Sequence, residues 1–181
     1  IRDAQESRGL GDVYKRQGLN EALKLETELS SLSPEEVLKK IGMKIMTTVG
    51  GSSGALFATL LMGMAKKYSK ELNDLENLAA MFYEGVEATK KRGKADLGEK
   101  TMLDVLIPVS LSLNKLKNEK NIKIVAEKIK MVAKEGMLST RDIMATKGRA
   151  SFLGERAIGH IDPGARSSQL AISAICDEYI N

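Results

Sequence analysis

The stretch SPEEVLKKIGMKIM, from Ser33 to Met46, decides the fold class. It begins with Ser at the expected N-cap, Pro34 at the first helical position and Glu36 at the third, which is a strong helix start. The apolar residues that follow recur at the spacing of one helix face: Val37, Leu38, Ile41, Ile45 and Met46. The pattern therefore predicts an amphipathic helix from about residue 34.

Comparable patterns continue to the C-terminus. Prolines number only 3, and Leu, Ala, Met, Lys and Glu dominate, a composition that favours helices. No segment alternates polar and apolar residues as a half-buried strand would. Further helices are predicted from within GGSSG, at 50–54, to about 68, from 73–74 onward, from 99–104 to just before 114, over 122–133, over 140–146 and over 165–179. The prediction is an all-α fold, an antiparallel helical bundle or barrel with short connections.

Charge and composition exclude several classes of function. There are 28 Lys and Arg against 24 Asp and Glu, and the 4% of aromatic residues are not interleaved with a basic block. We therefore expect no nucleic-acid partner. The longest apolar run, GALFATLLMGMA, is too short to cross a bilayer, so no membrane association is expected. A single cysteine, Cys176, and no visible signal peptide indicate a cytoplasmic protein.

The segment TTVGGSSGALF places Ser52 and Ser53 at the start of an apolar helix. Backbone N–H groups at a helix N-terminus, with two hydroxyls beside them, suit a phosphate group. Capping of the helix by one of the serines is the commoner explanation of this string taken alone. Both interpretations stay open at this point.

A second segment, RGKADLGEKTMLDVL, has Gly93 and Gly98 on either side of a basic loop that leads into a helix. Met102 is a soft apolar group that can lie on a nucleobase, although methionine is more often a core residue. Taken alone, the segment is typical of a solvated loop.

The third segment, KGRASFLGERAIGHIDPGA, brings Arg149, Arg156 and His160, the only histidine, into one glycine-rich connection. Arginine suits phosphate because its planar guanidinium donates two hydrogen bonds in a fork. The alternative is a structural loop that ends in an Asp-Pro-Gly turn. No catalytic triad pattern, metal-ligand spacing or Walker P-loop occurs in the chain.

In this order and spacing, the three segments resemble the nucleotide-binding L subunit of dihydroxyacetone kinase, over about residue 18 to the end. The resemblance implies an antiparallel barrel of eight helices that holds ADP or ATP with magnesium at one end. It also implies a phosphotransferase (glycerone kinase) activity. A phosphohistidine carrier, the M subunit, recharges the bound ADP to ATP, and the γ-phosphoryl group passes to dihydroxyacetone on a separate K subunit.

The resemblance also assigns site residues by their match to the family motifs, and no side chain among them acts as a nucleophile. Met102 and Gly93 match the adenine side, and Arg149 matches the basic residue that faces the phosphates. The expected nucleotide contacts are Gly18, Leu19 and Asn20 at a helix start, Ser52 and Ser53 at the phosphates, Gly93, Met102, Arg149, and the closing turn Asp162, Pro163 and Gly164.

Two other functions stay open. One is a non-catalytic helical bundle that binds a ligand or a partner. The other is the nucleotide domain of a fatty-acid kinase, which is usually joined to a large lipid-binding region. Magnesium-dependent binding of ADP distinguishes the kinase subunit from the non-catalytic bundle.

Residues 1–17 depart from the family pattern. The family's metal loop, G-D-x-D-H-G, lies just before Gly18, but Tyr14 and Arg16 stand where its two nearer aspartates belong, Gly9 at the third aspartate and Gln17 at the histidine. The string DVYKRQ resembles the translated end of a transposon sequencing adapter, GTG-TAT-AAG-AGA-CAG. We therefore hypothesise that 1–17 is a non-native segment joined to a nucleotide-binding domain, 18–181. The family's metal ligands and first helix would then be missing, its neighbours would expose an apolar stripe, and the chain would be inactive.

Overall fold

The computed structural model describes Leu29 and residues 31–180, apart from the side chain of Arg149. The predictions about residues 1–17 and about Gly18, Leu19 and Asn20 lie outside this part of the chain. The described residues form six α-helices, numbered in chain order, and one 3₁₀ helix, Arg149–Ala157, between the last two. The α-helices are α1 Pro34–Thr48, α2 Gly51–Ala65, α3 Asp74–Gly93, α4 Leu103–Leu116, α5 Ile122–Ser139 and α6 Pro163–Ile180.

No strand occurs among the described residues, so the predicted all-α class is confirmed. The helices that follow one another in the chain make the main pairings, from α1 with α2 to α5 with α6, and α4 also contacts α6. The larger core cluster lies among α2 to α6 and includes Val105, Leu106 and Val109, which are almost completely buried. None of the described helices combines the length and apolar character that a membrane span requires.

Local capping explains where two helices begin. Ser33 and Glu36 form the predicted capping box at α1, in which the Glu36 carboxylate accepts from the Ser33 N–H at 3.0 Å. Asn73 and Glu76 form a second box at α3, where Asn73 Oδ1 accepts from the Glu76 N–H at 2.9 Å. Both helices therefore start where the sequence predicts.

Glycine lets two helix pairs approach closely. A Cβ atom on Gly85 of α3 would lie 2.6 Å from the Leu60 carbonyl oxygen of α2. A Cβ atom on Gly136 of α5 would lie 2.3 Å from the Asp104 carbonyl oxygen of α4. Pro108 lies inside α4 and has no N–H to donate to that carbonyl. The Asp104 carbonyl oxygen therefore lacks its usual helical donor where α4 crosses α5.

Between α5 and α6 the sequence-based prediction is wrong. The pattern predicts a helix over residues 140–146, but they form turns and bends and then irregular chain, and the 3₁₀ helix that follows is not predicted. The carbonyl oxygens of Thr140 and Ile143 accept hydrogen bonds from the side chain of Lys100. A helix would direct these carbonyls to its own amides, so the side-chain contacts replace helical pairing here.

Candidate functional site

Ser52 and Ser53 are the second and third residues of α2. The N-cap is Gly50, and no side chain caps this helix, so the capping interpretation is wrong. Gly51 has a φ of +77°, a conformation that glycine adopts readily. Within the described part of the chain, neither serine hydroxyl has a hydrogen-bond partner. The start of α2 therefore presents uncapped backbone N–H groups with two hydroxyls, a combination suited to an oxyanion.

Gly93 ends α3 beside the first turns of α2. A Cβ atom on Gly93 would lie 3.4 Å from Cδ2 of Leu56, which is one turn beyond Ser53. The next residue, Lys94, adopts the left-handed conformation that closes the helix. The structure therefore brings Gly93 near the helix start that carries the two serines.

Asp162 is the N-terminal cap of α6. Its Oδ2 accepts from the Ala165 N–H at 2.7 Å, and its backbone N–H donates to Thr140 Oγ1 at 3.0 Å. Pro163 occupies the first helical position, which its fixed φ and missing N–H suit. The predicted closing turn is thus also the beginning of α6, two residues earlier than the sequence-based estimate.

Met102 and Gly164 meet at the start of α4. A Cβ atom on Gly164 would lie 3.4 Å from both the backbone nitrogen and the Cβ atom of Met102. The Met102 side chain is only 4% exposed, as is usual for a core methionine. Its assignment to the adenine side stays a prediction, while its contact with the Asp162 turn is a feature of the fold.

Arg149 is the first residue of the 3₁₀ helix, which places it between α5 and the Asp162 turn. Its N-cap, Gly148, has φ +65° and ψ −165°, a conformation open to glycine and strained for other residues. The glycine conformation therefore sets the backbone position of Arg149 at the start of the 3₁₀ helix. Its contact with phosphate stays a prediction.

Lys100 is a residue of this region that sequence reasoning missed. It is 3% exposed, and its Nζ donates to the carbonyl oxygens of Thr140 at 2.5 Å, His160 at 2.6 Å and Ile143 at 3.1 Å. Burial lowers the pKa of the Lys100 ammonium, and the nearby carboxylates oppose that shift. These carboxylates belong to Asp162, Asp142 and Asp104. In the sequence, Lys100 is one lysine of a polar loop, and nothing there distinguishes it.

Asp104 closes the turn that leads into α4. Its Oδ1 accepts from the Gly98 N–H at 2.6 Å and its Oδ2 from the Thr101 N–H at 2.7 Å. The side chain is 1% exposed, so its carboxylate serves backbone donors rather than solvent. Gly98 has a φ of +85°, which lets this turn fold back on the carboxylate.

Glu99 ties the same turn to the segment before Arg149. Its Oε1 accepts from Thr146 Oγ1 at 3.1 Å and lies 3.6 Å from Nζ of Lys147. Hydrogen bonding by the Asp96 N–H, followed by the contacts with Thr146 and Lys147, lowers the pKa of the Glu99 carboxyl. The described contacts therefore form two groups: α2 with Gly93, and the 98–104 turn with residues 140–147 and 159–164.

The chain matches the model of the family described as "DAK2 domain" over residues 13–177. That match covers most of the chain, so the chain belongs to the DAK2 domain family. The described residues have an all-helical fold.

Curated relatives define the kind of protein more closely. The chain is 40% identical over 183 residues to the "PEP-dependent dihydroxyacetone kinase 1, ADP-binding subunit DhaL" of Listeria innocua, covering 100% of this chain and 87% of the relative. It is 41% identical over 151 residues to the PTS-dependent ADP-binding subunit of Lactococcus lactis, covering 83% of this chain and 71% of the relative. The Escherichia coli subunit is 37% identical, with coverages of 88% and 79%. These relatives are subunits of a phosphotransferase that binds ADP.

Solved structures of a larger kinase share the fold. The dihydroxyacetone kinase of C. freundii matches with a TM-score of 0.58 and 26% identity, over 80% of this chain. This chain corresponds to 24% of the length of that kinase. A second structure of the same kinase, in complex with AMP-PNP and Mg²⁺, matches with a TM-score of 0.56. Nucleotide and magnesium therefore both occur in the family.

Proposed function

We propose that this chain is the ADP/ATP-binding subunit of a dihydroxyacetone kinase. In this role it holds the nucleotide from which a phosphoryl group passes to dihydroxyacetone on a partner K subunit. A phosphohistidine carrier, the M subunit, recharges the ADP, and all three work in the cytoplasm. The names of the Listeria, Lactococcus and Escherichia relatives support the ADP-binding part of this proposal.

The uncapped start of α2 is the observation that carries the proposal. A capped helix would use the Ser52 or Ser53 hydroxyl on its own backbone, whereas here neither is used. The diphosphate of ADP offers oxygens to both the hydroxyls and the first-turn N–H groups. Gly93 lies beside this helix start and has no side chain, so the space next to Leu56 stays open to a ligand.

Catalysis by such a subunit needs positioning rather than a nucleophile. Phosphoryl transfer depends on alignment of donor and acceptor and on stabilisation of charge on the equatorial oxygens. The α2 start can hold phosphate oxygens, and Arg149 would add a fork of charged donors facing them. The acceptor hydroxyl belongs to dihydroxyacetone, so it comes from the partner subunit.

The described residues do not fit a magnesium ion. No group of three or more His, Cys, Asp or Glu residues that could hold a metal occurs in the part of the chain that the structure describes. Asp104 uses both carboxylate oxygens on backbone N–H groups, and Asp162 uses Oδ2 to cap α6. Magnesium requires several free hard oxygen ligands.

Residues 1–17 belong to the same proposal. They carry none of the family's metal ligands at the matching positions, and we treat them as a non-native segment that leaves the chain inactive in transfer. The family match begins at residue 13, inside this segment, so sequencing of the source locus is the decisive check. An Asp-rich loop encoded upstream of Gly18 in genomic DNA supports the proposal that residues 1–17 are non-native. Genomic DNA that encodes the string DVYKRQ at this place refutes it.

ADP titration followed by NMR tests the nucleotide site in the chain as it is. We expect weak but saturable shifts of the α2 amides at millimolar ADP. Changing Ser52 and Ser53 together to Ala should weaken binding by about tenfold or more, because each hydrogen bond to a charged phosphate contributes about 1.5–3 kcal/mol. Ser112→Ala, inside α4, is the matched control and should leave the titration unchanged. Absence of any ADP-dependent shift at α2 would refute the placement of the phosphates there.

A further inference from the structure

Lys100 contacts two chain segments that are distant from it in sequence. Its ammonium contacts the carbonyl oxygens of Thr140 and Ile143, which follow α5, and of His160, which precedes α6. An ammonium group has three donors, and these three contacts are 3.1 Å or shorter. The carbonyl oxygen of Arg141 lies slightly farther away, at 3.4 Å.

The contacts require the charged form of the lysine. A neutral amine has two donors and would turn its lone pair toward one of the carbonyls. The side chain is 3% exposed, so water cannot replace a lost partner without the segments moving apart. Three carboxylates around the ammonium favour its charge: those of Asp162, Asp142 and Asp104.

Backbone contacts show what the ammonium holds in place. The Gly159 N–H donates to the Arg141 carbonyl at 2.8 Å, and the Asp162 N–H donates to Thr140 Oγ1 at 3.0 Å. Both bonds join the same two segments that Lys100 bridges. The Asp162 turn in turn packs against Met102, two residues after Lys100. The lysine therefore lies behind the turn that is predicted to close over the nucleotide.

We infer that Lys100 is a positioning residue for the nucleotide site: its ammonium holds the 140–143 and 159–164 segments together and so fixes the Asp162-Pro163-Gly164 turn against Met102. The inference rests on the proposed function for the identity of the ligand. It does not depend on that function for the geometry. Lys100 itself is buried behind the turn and does not contact the nucleotide.

The structure offers a matched control for this lysine. Lys94 and Lys100 are the two non-glycine residues with positive φ among those described, at +46° and +59°. Lys94 is exposed, whereas Lys100 is enclosed by carbonyl groups. Lys94→Met and Lys100→Met therefore make the same chemical change on the same type of backbone. Only the second removes an ammonium that donates to buried carbonyl oxygens.

Hydrogen exchange in the unliganded chain tests the geometry. In Lys100→Met, protection of the Gly159, Asp162 and Ala165 amides should fall by about tenfold or more, the effect of losing hydrogen bonds to a charged group. Protection in α1 and α3 should stay the same, as should every amide in Lys94→Met. Uniform loss of protection through all helices would overturn the inference, because it would mark Lys100 as a general stability residue.

Chemical rescue separates charge from packing. Lys100→Gly suits the positive φ and leaves a channel of the shape of n-butylammonium, which should restore protection of the Asp162 and Ala165 amides. n-Butanol has a similar shape without the charge and should not restore it. Equal rescue by both compounds, or by neither, would overturn the role of the ammonium.

ADP titration of the same variants tests the link to the nucleotide. Lys100→Met should weaken ADP binding by about tenfold, Lys94→Met should not, and n-butylammonium should restore binding to Lys100→Gly. Unchanged ADP affinity in Lys100→Met, together with lost protection, would overturn the positioning role and leave the proposed function standing. If the Gly159, Asp162 and Ala165 amides of the unmodified chain are protected but the chain binds no ADP, the proposed function is refuted instead.

Discussion

At the scale of single residues, the loops beside the site are held by side chains that bind distant backbone or side-chain groups. Glu99 is one of these, since it bridges the Asp96 N–H and the hydroxyl of Thr146. Hydrogen bonding by the Asp96 N–H is the main cause that lowers the pKa of the Glu99 carboxyl below its ordinary value. A carboxyl whose folded pKa is lowered stabilises the fold above its unfolded pKa and loses that contribution as pH falls through the folded pKa.

Glu99→Gln tests this contribution. At neutral pH the variant should unfold at lower denaturant concentration than the unmodified chain. The difference should shrink as the pH falls below the normal carboxyl range, because both proteins then carry a neutral group at this position. Glu127→Gln, on the exposed face of α5, is the control for loss of a carboxylate. A difference between Glu99→Gln and the unmodified chain that persists unchanged in acid would contradict the assignment.

At the scale of helices, the crossing of α4 and α5 depends on one proline and one glycine. Pro108 leaves the Asp104 carbonyl without its helical donor, and Gly136 of α5 packs directly against that oxygen. Helix propensity alone would favour Ala over Gly at position 136 by about 1 kcal/mol. The close backbone contact acts in the opposite direction, since a Cβ atom would lie 2.3 Å from the carbonyl oxygen.

Gly136→Ala should therefore destabilise the chain, by about 1–3 kcal/mol as for other overpacked sites. The two helices must separate, because the atom in the way is backbone and cannot change rotamer. Glu135→Ala, one residue earlier and exposed, should be neutral or slightly stabilising. Chemical denaturation of both variants measures the effect. A stabilised Gly136→Ala would mean that the crossing is looser than the structure shows.

The elements that could be predicted from the sequence are those that local interactions define. Ser33 with Glu36, and Asn73 with Glu76, are capping boxes within four residues, and both predicted starts are confirmed. The segment 140–146 could not be predicted, because its carbonyls bind a lysine 40 or more positions earlier in the chain. A local pattern cannot contain that interaction.

The candidate site divides in the same way. The positions of Ser52 and Ser53 at a helix start, and of Asp162 in a turn, could be predicted from the glycine-rich and Asp-Pro-Gly patterns, while their contact with nucleotide stays a prediction. The role of Lys100 depends on burial and on acceptors from two other segments, neither of which a single sequence reveals. The absence of a side-chain cap at α2 was also unpredictable, since a serine beside a helix start usually caps it.

At the scale of the whole molecule, the first and last described α-helices expose apolar side chains. Met43 and Met46 of α1 are exposed, as are Leu170, Ile175 and Tyr179 of α6. No extensive pairing joins α1 to α6 within the described part of the chain. An apolar surface of this kind was expected on helices next to a missing first helix. That explanation stays a prediction, because residues 1–28 lie outside the described part.

Phosphoryl transfer depends on the whole molecule, because the nucleotide contacts and the divalent ion must act together. In the proposed placement, the α2 start and Arg149 would supply hydrogen bonds and one charge to the diphosphate. The described residues provide no carboxylate cluster for a divalent ion. Each lost charged contact costs about 1.5–3 kcal/mol in binding, and transfer suffers further because charge on the transferring group is then poorly stabilised.

We therefore expect no measurable phosphorylation of dihydroxyacetone by this chain in the presence of the K and M subunits that we propose as its partners. Replacing residues 1–17 with the family's metal loop, G-D-x-D-H-G, and its first helix should restore activity, since carboxylates suited to magnesium would then precede Gly18. The same graft with its aspartates changed to asparagine is the control and should stay inactive, which separates the metal ligands from the added helix. Magnesium-dependent turnover by the unmodified 181-residue chain would show that the metal site lies elsewhere in the molecule.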